Sequence, residues 1–232
     1  PEVPSWRLVL TLALAGALSA LALSVVNELT LPAIEATRAA VLREAVAEVL
    51  GAPKAVTSLL VTPQGLVADE TIQYMEVKDE ERVYLGFADE AKTEPIGFAL
   101  VGKKFGYGSD PIKLAFGYDA STGEVIGLKV LEHKETPGIG TKIEDDPAFA
   151  GQWSRPVGDG TRRTTARLAR ADAPLVAVRS DANPASDAEV ERHEVDTISG
   201  ATISSKAVIK IVNDRVRTLG SKLSAWNPEE GR

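Results

Sequence analysis

The run Asp196-Thr197-Ile198-Ser199-Gly200-Ala201-Thr202 leads directly into Ile203-Ser204-Ser205 and then into a segment with helical apolar spacing. Hydroxyls and a glycine at a helix start can hold a phosphate. The first N–H groups of a helix have no partner within it, and the helix dipole favours negative charge there. Gly200 leaves the backbone open to a close approach. The same residue types also cap helices, so these residues alone leave two readings, a plain capped start and an anion site. A second run, Glu135-Thr136-Pro137-Gly138-Ile139-Gly140, stands about sixty residues earlier. Pro137 fixes the backbone, Gly138 and Gly140 leave room for a flat group, and Thr136 with exposed N–H groups can bond to its polar edge. Its plainer reading is a sharp turn after a strand.

Composition narrows the classes of chemistry. The 232 residues contain no cysteine, which excludes disulfides, thiolate metal sites and cysteine-ligated iron–sulfur clusters. Two histidines, His133 and His193, are too few for a histidine-rich metal centre, and no metal site is expected. The net charge of −7 and the pI near 5.1 argue against nucleic acid as a partner. No acid, base or nucleophile set for a small substrate stands out, so stand-alone enzyme chemistry is not expected.

The two runs together resemble the covalent FMN-binding domains found in the G subunit of the Rnf ion-translocating electron-transport complex. The same domain type occurs in the related C subunit of the sodium-pumping NADH:quinone reductase. The motif residues Asp196, Ser199, Gly200, Ala201 and Thr202 are all present, and Glu135 to Gly140 resembles the second block of the G subunits. The resemblance covers most of residues 1–220; residues 155–190 and the tail from 221 carry none of it. It implies FMN joined to Thr202 through a phosphoester made by a flavin transferase, with Asp196 part of what the transferase recognises. It also implies cofactor contacts from Ser199, Gly200 and Ala201, and from Glu135, Thr136, Gly138, Ile139 and Gly140. Ser204 and Ser205 are candidates for phosphate oxygens, and Lys142 for a charge partner.

The implied function is a membrane-anchored flavoprotein subunit relaying electrons in an Rnf-type ferredoxin:NAD oxidoreductase complex, beside membrane and iron–sulfur subunits. Three alternatives remain open: the quinone-reductase C subunit, a flavin-binding sensor module, and an assembly subunit whose flavin is dispensable. The implied location is the bacterial inner membrane, single-pass, with a short cytoplasmic N-terminus and the flavin domain on the extracytoplasmic side.

These groups need a scaffold, and its elements can be read from periodicity. Residues 8–27 contain no charge, and a helix of that length spans about 30 Å, the thickness of a hydrocarbon core. We expect a retained transmembrane helix in contact with lipid, preceded by residues 1–7. Arg7 and Ala20-Leu21-Ala22 leave a cleaved signal peptide as the competing reading. Residues 28–50 read as a connecting amphipathic helix, kinked or separated at Pro32 and stopped by Gly51-Ala52-Pro53. Residues 51–223 are expected to form the FMN-binding domain and 224–232 a tail, frayed from Trp226.

Within the domain, strands are expected at 58–62, 72–77, 82–88, 96–102, 112–118 and 124–132, with a turn at 119–123. A short helix at 146–153, a strand at 174–178 and an amphipathic helix from 203 to near Gly220 or a little beyond follow. Arginines from Arg155 to Arg170 and acids from Asp181 to Asp196 read as two oppositely charged loops, solvated or docking partner subunits. The fold class is α+β: a transmembrane helix, then an antiparallel-sheet domain with flanking helices.

Overall fold

A computed structural model describes residues 4–69, 81–153, 167–179 and 192–226. The chain begins with one helix of 45 residues, α1 (Ser5–Val49). Its N-terminal part is apolar on all sides, and its most apolar window has a mean hydropathy of 2.3 with none of it buried. Trp6, Leu12, Leu18, Leu23 and Leu29 all stand exposed. Among the described residues this is one helix long and apolar enough to cross a membrane. Of the two outcomes expected at Pro32, a kink or a separation, the separation does not occur, because the helix runs through it. Proline's fixed φ is already helical, and what it removes is a single N–H bond. Nearby, Thr30 and Thr37 donate their hydroxyls to the carbonyls of Val26 and Ala33, each at 2.8 Å.

The last turns of α1 change character. Leu42, Ala45, Val46 and Val49 fall at i, i+3, i+4 and i+7, and all four are buried. They pack on one face of a six-stranded antiparallel sheet, against Tyr84, Ala99, Val101, Ala115 and Ile126. The strands are β1 (Ala55–Thr62), β2 (Gly65–Asp69), β3 (Arg82–Phe87), β4 (Pro95–Phe105), β5 (Pro111–Asp119) and β6 (Glu124–Glu132). Their spatial order is β2-β1-β3-β4-β5-β6. Every residue of β3 is buried, as a central strand covered on both faces requires. Gly117 of β5 pairs with Gly127 of β6, and a side chain at either would meet the backbone of Val49. These two glycines let the end of α1 seat on the sheet.

Small elements follow: α2 (Lys142–Asp145), α3 (Pro147–Ala150), and the parallel pair β7 (Val176–Arg179) and β8 (Glu194–Thr197). α3 starts as expected, with Asp146 accepting from the Ala148 N–H at 2.9 Å and Pro147 in the first turn, but it ends before Trp153. The long helix α4 (Thr202–Ser224) covers the opposite face of the sheet. Its expected apolar stripe, Ala207, Val208, Ile211, Val212, Val216, Leu219 and Leu223, is buried throughout. Burial at about 1.5–3 kcal/mol per large side chain outweighs the ~1 kcal/mol helix penalty of Gly220, so α4 continues past it. Trp226 is not frayed, since its ring meets Phe98 edge-on at 6.1 Å. The expected strand at 72–77 and most of both charged loops lie outside the described residues.

Candidate functional site

α4 begins at Thr202 with Ala201 as its cap residue, and no side chain caps it. The Ala201 N–H is taken by Ile198 and that of Ser205 by Ala201. The N–H groups of Thr202, Ile203 and Ser204 therefore open the helix with no acceptor inside it. The first turn contains no acidic residue. The hydroxyl-rich start is thus not a capping motif. The two serines that follow are occupied elsewhere, and Thr202 is exposed.

Gly200 turns the chain into this start with φ +84°, a conformation that favours glycine. Upstream, the Gln152 side chain clamps the backbone of Asp196, accepting from its N–H at 2.7 Å and donating to its carbonyl at 3.2 Å. Thr197 donates to the Val178 carbonyl at 2.8 Å. The motif is therefore held by β7, β8 and the segment after α3 before it reaches the helix.

The second run lies against this helix start. After β6 the chain turns around the Thr136 carbonyl, which accepts from Gly140 at 2.9 Å and from Ile139 at 3.2 Å. Gly138 sits at φ +72°, and its N–H donates to Thr141 Oγ1 at 3.0 Å. Glu135 is buried and accepts a hydrogen bond from Ser204 Oγ at 2.6 Å. Residues separated by about seventy positions thus meet in one site.

Between the two runs is a cavity of about 600 Å³, within the about 300–1,000 Å³ usual for small-molecule and cofactor sites. Of the sequence candidates it is lined by Glu135, Thr136, Ile139 and Gly140 on one side and by Gly200, Ala201, Thr202 and Ser204 on the other. Among the described residues the lining leaves out Ser199, Gly138, Ser205 and Lys142. Ser199 and Gly138 are exposed at turn tips, and Lys142 is exposed on α2. Ser205 is fully buried: its hydroxyl donates to the Ala201 carbonyl at 2.9 Å and accepts from the Ile198 N–H at 3.1 Å. Its role is to brace the turn, which takes its hydroxyl out of reach of a phosphate.

Two lining residues escaped the sequence reading, Tyr107 and Ile203. Tyr107 sits on the connection between β4 and β5, flanked by Gly106 and Gly108. An aromatic between two glycines in a strand connection was the available signal. Tyr107, Ile139 and Ile203 are each more than half exposed, at 70%, 51% and 55%. Apolar surface around the mouth of a cavity marks a binding site rather than a solvated loop. The cavity has unpartnered N–H donors and the Thr202 hydroxyl at one end and apolar walls elsewhere. Those features fit a flat aromatic group carrying a phosphate.

Residues 106–217 match the FMN-binding domain family. The chain is 31% identical over 150 residues to the G subunit of the ion-translocating oxidoreductase complex of Escherichia coli, covering 63% of this chain and 62% of that protein. The corresponding G subunit of Methanosarcina acetivorans is 30% identical over 105 residues, covering 45% and 42%. The matches therefore span less than two thirds of these relatives' length. NqrC of Shewanella oneidensis superposes with a TM-score of 0.57 at 20% identity, covering 82% of this chain and all of that one. The C subunit of the Na⁺-translocating NADH-quinone reductase of Parabacteroides distasonis gives 0.50 at 18% identity, covering 75% and 80%.

Residues 106–217 thus match the FMN-binding domain family, and among the described residues they follow one long apolar helix. More narrowly, the chain is a relative of the G subunits of ion-translocating oxidoreductase complexes.

Proposed function

We infer that this chain is a membrane-anchored flavoprotein subunit that relays electrons within an ion-translocating oxidoreductase complex, with FMN joined through its phosphate to Thr202. The observation that carries this reading is the start of α4. It is a helix N-terminus without a side-chain cap, with Thr202 exposed on it, opening into the cavity walled by Glu135 to Gly140. The three N–H groups of Thr202, Ile203 and Ser204 meet the negative charge of a phosphoester. Gly200 and Gly140 keep the walls low, and Ile139, Ile203 and Tyr107 supply apolar area for a ring system. When bound, FMN supplies the redox chemistry; the protein binds, orients and shields it.

The partners in this reading are the membrane and iron–sulfur subunits of the complex. A flavin transferase recognises the segment from Asp196 during maturation. α1 anchors the domain in the bacterial inner membrane, with the flavin domain on the extracytoplasmic side. The test is co-expression with a flavin transferase, followed by intact-mass analysis and ultraviolet fluorescence of a denaturing gel. The full chain should carry one FMN, and Thr202→Ala should carry none while melting at the same temperature. Fluorescence that survives Thr202→Ala would refute the attachment site.

A further inference from the structure

Among the described residues lining the cavity, one carries a formal charge, Glu135. It is 5% exposed, an unusual place for a carboxylate, and the structure shows what holds it. Oε1 accepts from the Gly108 N–H at 3.0 Å, and Oε2 accepts from Ser204 Oγ at 2.6 Å. The Glu135 N–H itself donates to His133 Nδ1 at 3.2 Å. Both oxygens act as acceptors, the pattern of an ionised carboxylate. The donors come from two different elements, the Gly106–Asp110 connection that carries Tyr107 and the first turn of α4. Glu135 itself belongs to the third wall.

The packing follows the same plan. A side chain at Gly106 would run into Glu135 Oε1, and one at Gly140 would lie 2.5 Å from Oε2. One at Gly108 would strike the Lys134 carbonyl. A Lys134–Asp110 ion pair at 2.6 Å closes the same two segments at the surface, where its net charge cancels. Three walls of one cavity therefore converge on a single buried carboxylate.

We propose that Glu135 is the positioning residue of this site: it joins the three walls, and its buried charge lowers the reduction potential of the flavin held between them. This rests on the FMN reading above. A fixed negative charge in a low-dielectric wall opposes the addition of electrons to a neighbouring group, and it acts more strongly there than a surface charge would. The carboxylate therefore sets both where the ring lies and how readily it is reduced.

Two substitutions separate charge from reach, measured on the full chain after co-expression with a flavin transferase. Glu135→Gln keeps length and shape; Ser204 can turn its hydroxyl to accept from the new amide. It should retain FMN by intact mass and raise the ratio of reduced to oxidised flavin about tenfold at a fixed ambient potential, ~30 mV for a two-electron couple. Glu135→Asp keeps the charge but is one methylene short of spanning both donors. It should keep the potential nearer wild type and change the visible circular dichroism of the flavin.

An unchanged potential in Glu135→Gln would overturn the electrostatic role, and unchanged dichroism in Glu135→Asp would overturn the joining role. Loss of attachment in Glu135→Gln would make the residue part of transferase recognition and overturn both. If Glu135→Gln does not fold, Ser204→Ala breaks one of the same links, and unchanged flavin dichroism there counts against the proposal. Absence of FMN from the wild-type chain is a separate outcome that refutes the FMN reading, not the joining of the walls. That joining is then read from the melting temperature of the flavin-free chain, which Glu135→Asp must lower.

Discussion

Two alanine substitutions two residues apart test the geometry of the candidate ring loop. At Gly138 an added Cβ has nothing within 4 Å, so its penalty is backbone strain alone, from φ +72°. An L residue in that region costs about 1–2 kcal/mol, partly offset by about 0.4–1 kcal/mol from the stiffer unfolded chain. The net is ~1 kcal/mol, or about 2–4 °C in melting temperature for a protein of this size. At Gly140 the added Cβ would lie 2.5 Å from Glu135 Oε2 and 2.6 Å from Glu135 Cβ. Glu135 cannot retreat without loosening its bonds to Gly108 and Ser204. Overpacking of about 1–3 kcal/mol plus the loss of one charged hydrogen bond worth about 1.5–3 kcal/mol gives about 2.5–6 kcal/mol. Thermal melts in detergent measure both, and flavin absorbance after co-expression with a flavin transferase reports the site. Gly138→Ala should lower the melting temperature slightly and leave the spectrum close to wild type. Gly140→Ala should melt several times further below wild type and shift the flavin bands. Equal losses at the two positions, or a larger loss at Gly138, would refute the packing of Glu135 between the walls.

Two further outcomes follow from the same structure. Tyr107→Ala should raise the native fluorescence of the attached flavin, because an aromatic side chain at the cavity mouth that stacks on the ring quenches it. The fluorescence of the denatured band should stay the same; unchanged native fluorescence would remove Tyr107 from the ring site. Asp119 gives a pH test. Burial pushes its carboxyl up, but hydrogen bonds from the Ser121 and Thr122 side chains and backbones outweigh this and hold it below its ordinary value of 3.8. A depressed carboxyl stabilises the fold above that value, and the stabilisation is lost as pH falls through the folded-state value. Melting temperature should therefore fall less steeply below about pH 4 in Asp119→Asn than in wild type. An unaltered slope would show that the turn contributes nothing.

Much of this protein was legible in the chain because local pattern decided it. Residues 8–27 have no charge, so a helix there is apolar on every side whatever surrounds it. The strand-like runs of β3 to β6 and the helical stripe from Ala207 to Leu223 are long enough to name the element. The motif residues from Asp196 to Thr202 placed the candidate phosphate end, and Glu135 to Gly140 the candidate ring loop. The pairing of the shortest elements was not legible. β8 is four residues long and pairs in parallel with β7, and nothing within Glu194–Thr197 encodes that partner. At Pro32 the local rule left a kink and a separation open, and α1 passes through without separating.

What each candidate residue does was decided by tertiary structure. Ser204 and Ser205 are adjacent and chemically identical. One faces Glu135 across the cavity and the other points back into the Ile198–Ala201 turn, because successive helix positions differ by about 100°. Glu135 reads in the chain as a polar ligand at the start of a turn. Only the arrival of Gly108 and Ser204 from distant parts of the chain makes it a buried joint. Tyr107 joins the site for the same reason, since the β4–β5 register carries its connection over the ring loop. Residue types and spacing determined which chemistry the chain can hold. Long-range packing, which no local pattern encodes, determined which atoms hold it.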